Sequence, residues 1–305
     1  MGAILSALGV PEPKLSLQPK KIVVGVLFGN QITSAYLLNV LIWIFVVLMI
    51  ILLEFGVIPS VQQGFYCEDP VISHKYRQET ISPVTLGVTA FLLPTIMVLL
   101  TEFLVTESIK NINIYSVVFY EIECLVGVTN TLFITSIAKV LVGEHRPHFL
   151  DSCQPNTAKN CTAGQFIPNF ICTNENLAVI DIVDASLSFP SGHSSISWFI
   201  GIFTSYIIHS KMPVVNAGYI TKQFFICICI TWSLLCSLSR ITDRRHHWWD
   251  VLIGSILGIG FAFYSIRIIR EKLRDRNTQI CSICLERRIS LANKKQNFPN
   301  IHDSS

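Results

Sequence analysis

The sequence predicts an all-α membrane protein, a polytopic bundle of six transmembrane helices, and three observations carry that prediction. Of the 305 residues, 51% are hydrophobic and only 14% charged, which leaves too few charges to clothe a water-soluble exterior. The apolar residues gather into six runs, most of them long enough to cross a bilayer. Basic residues cluster between and beyond those runs. A formal charge of +3 in so apolar a chain gives no case for nucleic acid as a partner.

Residues 1–36 read as a cytosolic N-terminal segment. An irregular basic stretch comes first, with Pro11, Pro13, Pro19, Lys14, Lys20 and Lys21, and an interfacial lead-in follows from residue 22. No short apolar core with a small-residue cleavage site precedes the first long run, so no removable signal peptide is expected. The membrane domain then occupies residues 37–270. Span one is Leu37 to Ile58, with Glu54 near its end, and span two is Pro83 to Val105, with Pro94 expected to kink it. Span three runs from Tyr115 to Val142. Its Glu121 and Glu123 lie near an interface, where pairing with a neighbour or snorkelling accounts for them. Residues 143–190 form the longest hydrophilic loop. Spans four, five and six follow at Ser194 to Ile208, Phe224 to Leu238 and Trp249 to Ile269, and residues 271–305 are a basic cytosolic tail.

Six crossings put both termini on one side, and the Lys and Arg of the short loops make that side the cytosol. The long loop then faces outside or a lumen. It carries Asn160-Cys161-Thr162, the chain's one N-glycosylation sequon, which is usable only there. Cys67, Cys153, Cys161 and Cys172 fall in outer loops where disulfides persist, with the pairing left open. Cys124, Cys227, Cys229 and Cys236 lie within spans and read as packing residues. Cys281 and Cys284 form a lone C-x-x-C read as plain thiols.

The chemistry gathers at the outer ends of spans three to six. Ser188 to Ser195 leads into span four: Gly192 admits close approach to an anion, and the serines can cap a helix whose unpaired N–H groups attract phosphate. Lys139 and Arg146 close span three, Arg240 ends span five, and His246 and Asp250 open span six. Arg146, Arg240 and Lys139 suit phosphate oxygens, and the N–H groups of Ser191 and Gly192 would add to the stabilisation of a five-coordinate phosphorus. His246 and Asp250 are one helical turn apart, so the carboxylate can hold one imidazole nitrogen protonated and free the other to attack. His193 can protonate the departing alkoxide. A surface this basic on the outer face departs from the charge rule, and an anionic substrate supplies the reason. His145, His148 and His247 carry no role in this reading, and Trp248 and Trp249 read as an interfacial belt.

Lys139 to Arg146-Pro147, Pro190-Ser191-Gly192-His193, and Ser239-Arg240 to His246 to Asp250 resemble the three-part signature of the lipid phosphate phosphatases, in the type 2 phosphatidic acid phosphatase superfamily. The flanks Gly64 to Cys67, Glu79-Thr80-Ile81, Arg146 to Leu150 and His246-His247-Trp248 resemble its animal integral membrane branch. The resemblance covers roughly residues 37–270. It implies a metal-independent phosphomonoesterase that needs no cofactor and acts at the outer or lumenal leaflet. By it His246 is the nucleophile of a phosphohistidine intermediate, Asp250 orients it, and His193 is the acid and then the base. Lys139, Arg146, Ser191, Gly192 and Arg240 hold phosphate. The implied substrates are phosphatidate, lysophosphatidate, sphingosine 1-phosphate and ceramide 1-phosphate, the implied partner is the bilayer, and family members associate as oligomers. The expected site is extracellular at the plasma membrane, or lumenal in an internal membrane. Glu144 and His145 depart from the family, which more often has a basic and an apolar residue there.

Two other classes of function compete. A lipid-phosphate binding or transport protein would use the same basic pocket without turnover, but capture alone needs no acid and nucleophile pair. An adhesion or scaffold role of the outer loop has no Arg-Gly-Asp tripeptide behind it.

Overall fold

The structure is a computed structural model that describes residues 34–106, 108, 112–158 and 160–296. The N-terminal stretch through residue 33 and the side chain of Cys284 lie outside the described residues. Two compact units make up the chain, residues 1–45 and 46–305, and the second holds every element from the last turns of the first helix onward.

The long helices are α1 (Ser34–Glu54), α2 (Pro83–Thr106), α3 (Ile114–Val142), α6 (Gly192–Lys211), α8 (Tyr219–Thr242) and α9 (Trp248–Gln296). Short helices α4 (Phe149–Cys153), α5 (Val179–Asp184) and α7 (Val214–Ala217) lie in the connections. Their ends follow local chemistry. The Ser82 hydroxyl accepts from the N–H of Thr85 at 3.1 Å and Pro83 takes the first helical position of α2, where a missing N–H costs nothing. Pro94 sits within α2 without ending it. The α3 helix stops at Gly143, which adopts φ +63° and donates its N–H to Lys139 O at 2.9 Å. A Cβ there would lie 1.8 Å from Val61 O, so the position also admits no side chain.

Three of the expected spans change bounds by a turn or more. Span one ends at Glu54 rather than Ile58, where Gly56 turns the chain at φ +69°. Span five gains a turn at each end. The last helix continues past Ile269 to Gln296, because residues 270–296 contain neither Gly nor Pro and are rich in Arg, Lys, Glu and Leu. Among the described residues five segments are long and apolar enough to cross a membrane, Leu37–Glu54, Pro83–Thr106, Ile114–Val142, Tyr219–Thr242 and Trp248–Thr278, which makes this an integral membrane protein. Span four is the exception to the expected six. Its helix, α6, has 20 residues and a length of about 30 Å, yet does not join that set.

The reason lies in where α6 sits. It packs against α2, α3, α8 and α9 and forms the axis of the bundle. Phe199, Ile200, Phe203 and Ile207 fill the core with Val98, Cys124, Ala262 and Ile269. Apolar side chains face outward from the surrounding helices instead, among them Val84, Phe91, Ile122, Leu235 and Phe263. A helix shielded from lipid can carry Ser194, Ser195, Ser197 and Thr204 fully buried, because small polar side chains let helices approach closely. Ser195 and Ser197 return their hydroxyls to backbone carbonyls one turn back, and Ser233 of α8 donates to Ser197 O at 2.7 Å. On α9, Gly254 and Gly258 make the approach possible: a Cβ at either would stand 2.5 Å from Ser191 O or 2.1 Å from Ser195 O.

The two ends of α6 differ. At its C-terminal end Lys211 bonds Glu102 and Ser116 and lies 4.9 Å from the centre of the Tyr120 ring. Glu123 pairs with Lys272 at 2.5 Å and Glu121 accepts from Thr95 Oγ1 at 2.5 Å, so both carboxylates are paired, as their interfacial position suggests. At its N-terminal end the loops build a cap. Strands β1 (Phe65–Tyr66) and β2 (Phe166–Ile167) pair antiparallel, Phe65 opposite Ile167. Disulfides Cys67–Cys161 and Cys153–Cys172 settle the pairing left open by sequence. Beneath them Phe65, Phe149 and Phe170 form a ring cluster. Cys124, Cys229 and Cys236 are free and buried, consistent with packing, whereas Cys227 and Cys281 are free and exposed.

Candidate active site

Four chain segments converge at the N-terminal end of α6. The last turn of α3 supplies Lys139, and Gly143 turns the chain so that residues 144–148 return across the bundle. Two backbone bonds pin that return to the stretch before α6: Arg146 N–H to Ala185 O and Ser188 N–H to Glu144 O, both 2.9 Å. The Phe189–Pro190 peptide is cis, and Ser191 then caps α6 by accepting from Ser194 N at 3.4 Å. Arg240 ends α8. The turn that follows, with Arg244 at φ +56°, folds His246 back so that its N–H bonds Arg240 O at 3.2 Å.

His246 is buried at the centre of this arrangement. Its Nδ1 faces Asp250 Oδ2 at 3.5 Å, an electrostatic contact longer than an ordinary hydrogen bond. Asp250 is fully buried, and Oδ2 also accepts from Ser188 Oγ at 2.5 Å and His247 N–H at 2.9 Å. Burial, and then the charges of Arg146, Lys139, His193 and Arg240, hold the His246 imidazole well below its ordinary range. The ring is therefore neutral at pH 7 and keeps a nitrogen lone pair. The same influences place the three cationic phosphate-binding candidates and the second histidine around it. Gly192 adjoins Lys139, whose Nζ would lie 3.9 Å from a Cβ on the glycine. His193 contacts the Ile81 carbonyl through Nε2 at 3.2 Å; a carbonyl only accepts, so that nitrogen carries hydrogen.

Two expectations about this surface need correction. Ser191 was expected to offer its N–H to phosphate, but that N–H donates to Asp250 O at 3.1 Å, and its hydroxyl is taken up by Ser194. Gly192, the first residue of α6, has no carbonyl one turn earlier to accept its own N–H. The surface was also expected to be strongly basic, yet each cation carries a carboxylate. Lys139 pairs with Glu54 at 3.3 Å and Arg146 with Asp184 at 2.5 Å. Arg240, fully buried, pairs with Asp243 at 3.2 Å and Glu79 at 3.5 Å and donates to Ile81 O at 3.0 Å. Glu79 also holds Arg245 at 2.8 Å. Desolvated cations need such partners to stay charged. Of these four carboxylates only Asp243 carries a sequence signal, three residues from Arg240 at a helix end. Glu79 arrives from a loop and Asp184 from the last residue of α5.

The remaining histidines have structural work, in keeping with their lack of an assigned role. His145 stacks on Phe149 at 3.8 Å and contacts Gln63 O, His148 lies between Ser152 Oγ and Arg245, and His247 contacts His145 O. Trp248 is exposed as a belt residue should be. Trp249 is not such a residue: it stacks on His247 and donates its indole N–H to Glu144 Oε1 at 2.8 Å. Asn160, the sequon residue, is exposed in the cap beside the Cys67–Cys161 disulfide.

Comparison with known proteins covers the same stretch of chain. The model of the PAP2 superfamily matches residues 121–274, which contain every motif residue above. Phospholipid phosphatase 1 of Rattus norvegicus is 32% identical over 230 residues, covering 69% of this chain and 76% of its own length. Phospholipid phosphatase 2 of Bos taurus is 29% identical over 274 residues, 82% of this chain and 92% of its own. No solved structure matches the chain. With half its length under the family model and most of the remainder aligned to these relatives, the chain belongs to the PAP2 superfamily.

Proposed function

We propose that this protein is a lipid phosphate phosphatase that removes phosphate from phosphatidate, lysophosphatidate, sphingosine 1-phosphate or ceramide 1-phosphate without a metal ion. The observation that carries the reading is the neutral, buried His246 backed by Asp250 and ringed by Lys139, Arg146, Arg240 and His193. In this reading Asp250 keeps hydrogen on Nδ1 of His246, so Nε2 attacks phosphorus. The bond from phosphorus to the ester oxygen breaks, His193 protonates the leaving alkoxide, and a phosphohistidine remains. His193 then takes a proton from water, whose oxygen attacks phosphorus and releases inorganic phosphate and free His246. Lys139, Arg146, Arg240 and the Gly192 N–H stabilise the charge on the equatorial oxygens. Binding phosphate among cations that already have carboxylate partners means exchanging those partners, which favours a substrate carrying nearly two negative charges.

The same reading makes α6 a sixth crossing, enclosed by the others, with both termini cytosolic. The active site and the glycosylated Asn160 then face the extracellular side at the plasma membrane, or the lumen of an internal membrane. A lipid-phosphate carrier is the competing function, and the paired cations count against it, since simple capture is served by unpaired ones.

The test is phosphate release from lysophosphatidate by purified protein in detergent with excess chelator, wild type against His246→Ala. Release by wild type alone supports the assignment. Equal release by the folded variant removes His246 as nucleophile, and no release by wild type from any of the four lipids removes the phosphatase.

A further inference from the structure

Glu144 stands where the family more often has a basic residue, and nothing in the reaction above uses it. Its position is fixed from two sides. The carbonyl accepts the Ser188 N–H at 2.9 Å and Oε1 accepts the Trp249 indole N–H at 2.8 Å, which hold it against the first turn of α9. Trp249 precedes Asp250 in the chain, and Ser188, whose N–H bonds the Glu144 carbonyl, gives its hydroxyl to Asp250 Oδ2, so the two carboxyls are neighbours.

The donors around Asp250 are unevenly shared. Oδ2 takes the Ser188 hydroxyl and the His247 N–H and faces His246 Nδ1. Oδ1 is buried and has no donor. A buried acceptor without a donor is costly, and so is a buried contact between two ionised carboxylates. One proton between the two groups removes both penalties. Asp250 already has two donors on one oxygen, the Ser188 hydroxyl and the His247 N–H, which favour its ionised form. Glu144 has one donor, Trp249, so the proton belongs on Glu144.

We propose that Glu144 is a positioning residue: as a neutral acid it donates to Asp250 Oδ1, locks the carboxylate that supports His246, and loses that function when it ionises. This rests on the phosphatase reading only for its effect on turnover; the shared proton itself does not. Burial and the charge of Asp250 raise the Glu144 carboxyl to about 7, against the smaller opposing effect of the Trp249 N–H. The other ionisable groups facing this pair are His246 and His247 from the turn before α9 and Arg146 from the turn after α3. Above that pH a second negative charge repels Asp250, frees it to leave His246, and opposes an incoming phosphate.

The experiment is an infrared pH-difference titration of the full chain in detergent, with phosphate release from lysophosphatidate measured between about pH 5 and pH 9 on the same samples. Wild type is expected to show a protonated carboxyl band that vanishes near neutrality and is missing from Glu144→Gln. Its kcat should fall on the alkaline side of that transition. Glu144→Gln still offers an N–H to Asp250 and cannot ionise, so it should lose the alkaline fall and exceed Glu144→Ala by about tenfold. Trp249→Phe removes the donor that favours ionised Glu144 and should move both the band and the fall to higher pH. An unchanged band or alkaline fall in Glu144→Gln, or equal rates for the Gln and Ala variants, overturns the proposal. A wild type that shows the band and releases no phosphate retains the pair and removes the phosphatase.

Discussion

Gly258 on α9 gives the most direct link from packing to the proposed chemistry. A Cβ at this position would lie 2.1 Å from Ser195 O and 2.9 Å from Ser195 C, both backbone atoms that no rotamer change can move. Reaching an ordinary contact near 3.4 Å requires α6 and α9 to separate by about 1.3 Å at this level. Gly192 and His193 ride at the N-terminus of α6, while Asp250 rides on α9 and His246 lies just before it, so the separation acts between the two halves of the site. Misplacement by about 1 Å costs roughly a hundredfold in rate, and overpacking of this kind costs about 1–3 kcal/mol in stability. Gly258→Ala should therefore lower kcat/KM at least about a hundredfold and reduce the unfolding temperature. Gly260→Ala is the matched control, because a Cβ there meets nothing within 4 Å and gains roughly 1 kcal/mol of helix propensity. Phosphate release and thermal unfolding of the two variants, measured in one detergent, decide the matter. Equal activities for Gly258→Ala and Gly260→Ala would refute the claim that close approach of these helices sets the geometry.

Acid should destabilise the fold through its buried histidines. Burial, with Arg146 and Arg245, lowers His148 to about 3, and His246 is also held well below 6.5. The folded state thus binds fewer protons than the unfolded chain, so stability present above about pH 6.5 is lost progressively as pH falls toward 3. Thermal unfolding against pH should show that decline starting near 6.5, and His148→Gln should make it shallower; a flat profile down to about pH 5 contradicts it. Reduction should loosen the cap first. In a chain-entropy model the Cys67–Cys161 bond, which spans 94 residues, stabilises by about 4–5 kcal/mol, and Cys153–Cys172, spanning 19, by about 3 kcal/mol. Cys67→Ala should accordingly expose the 143–190 loop to proteolysis more than Cys153→Ala does, and the reverse order would contradict the assignment.

Much of the bundle was legible because a bilayer enforces simple rules. Apolar length alone located α2 and α3 within a residue or two, since lipid leaves no other way to satisfy the backbone. Where lipid does not touch the chain the rule weakens. The α6 helix is enclosed by four others, so serines that bond its own backbone are tolerated there and its composition no longer reports its environment. The tail beyond Ile269 was read for its charge, and charge says nothing of the helix that runs through it to Gln296.

By itself the sequence named the candidate residues of the site and the chemical character of each. Three short motifs name Lys139, Arg146, Gly192, His193, Arg240, His246 and Asp250, and a spacing of one helical turn suffices to set His246 beside Asp250. Tertiary structure alone decided the charge balance. Glu54, Glu79 and Asp184 lie 85, 161 and 38 residues from Lys139, Arg240 and Arg146, the cations they neutralise. Burying a cation demands a counter-charge, but any segment that folds near it can supply one, so no local pattern announces which. The same holds for the meeting of Glu144 with Asp250, which depends on Gly143 turning the chain, Trp249 facing inward and α9 lying close against α6.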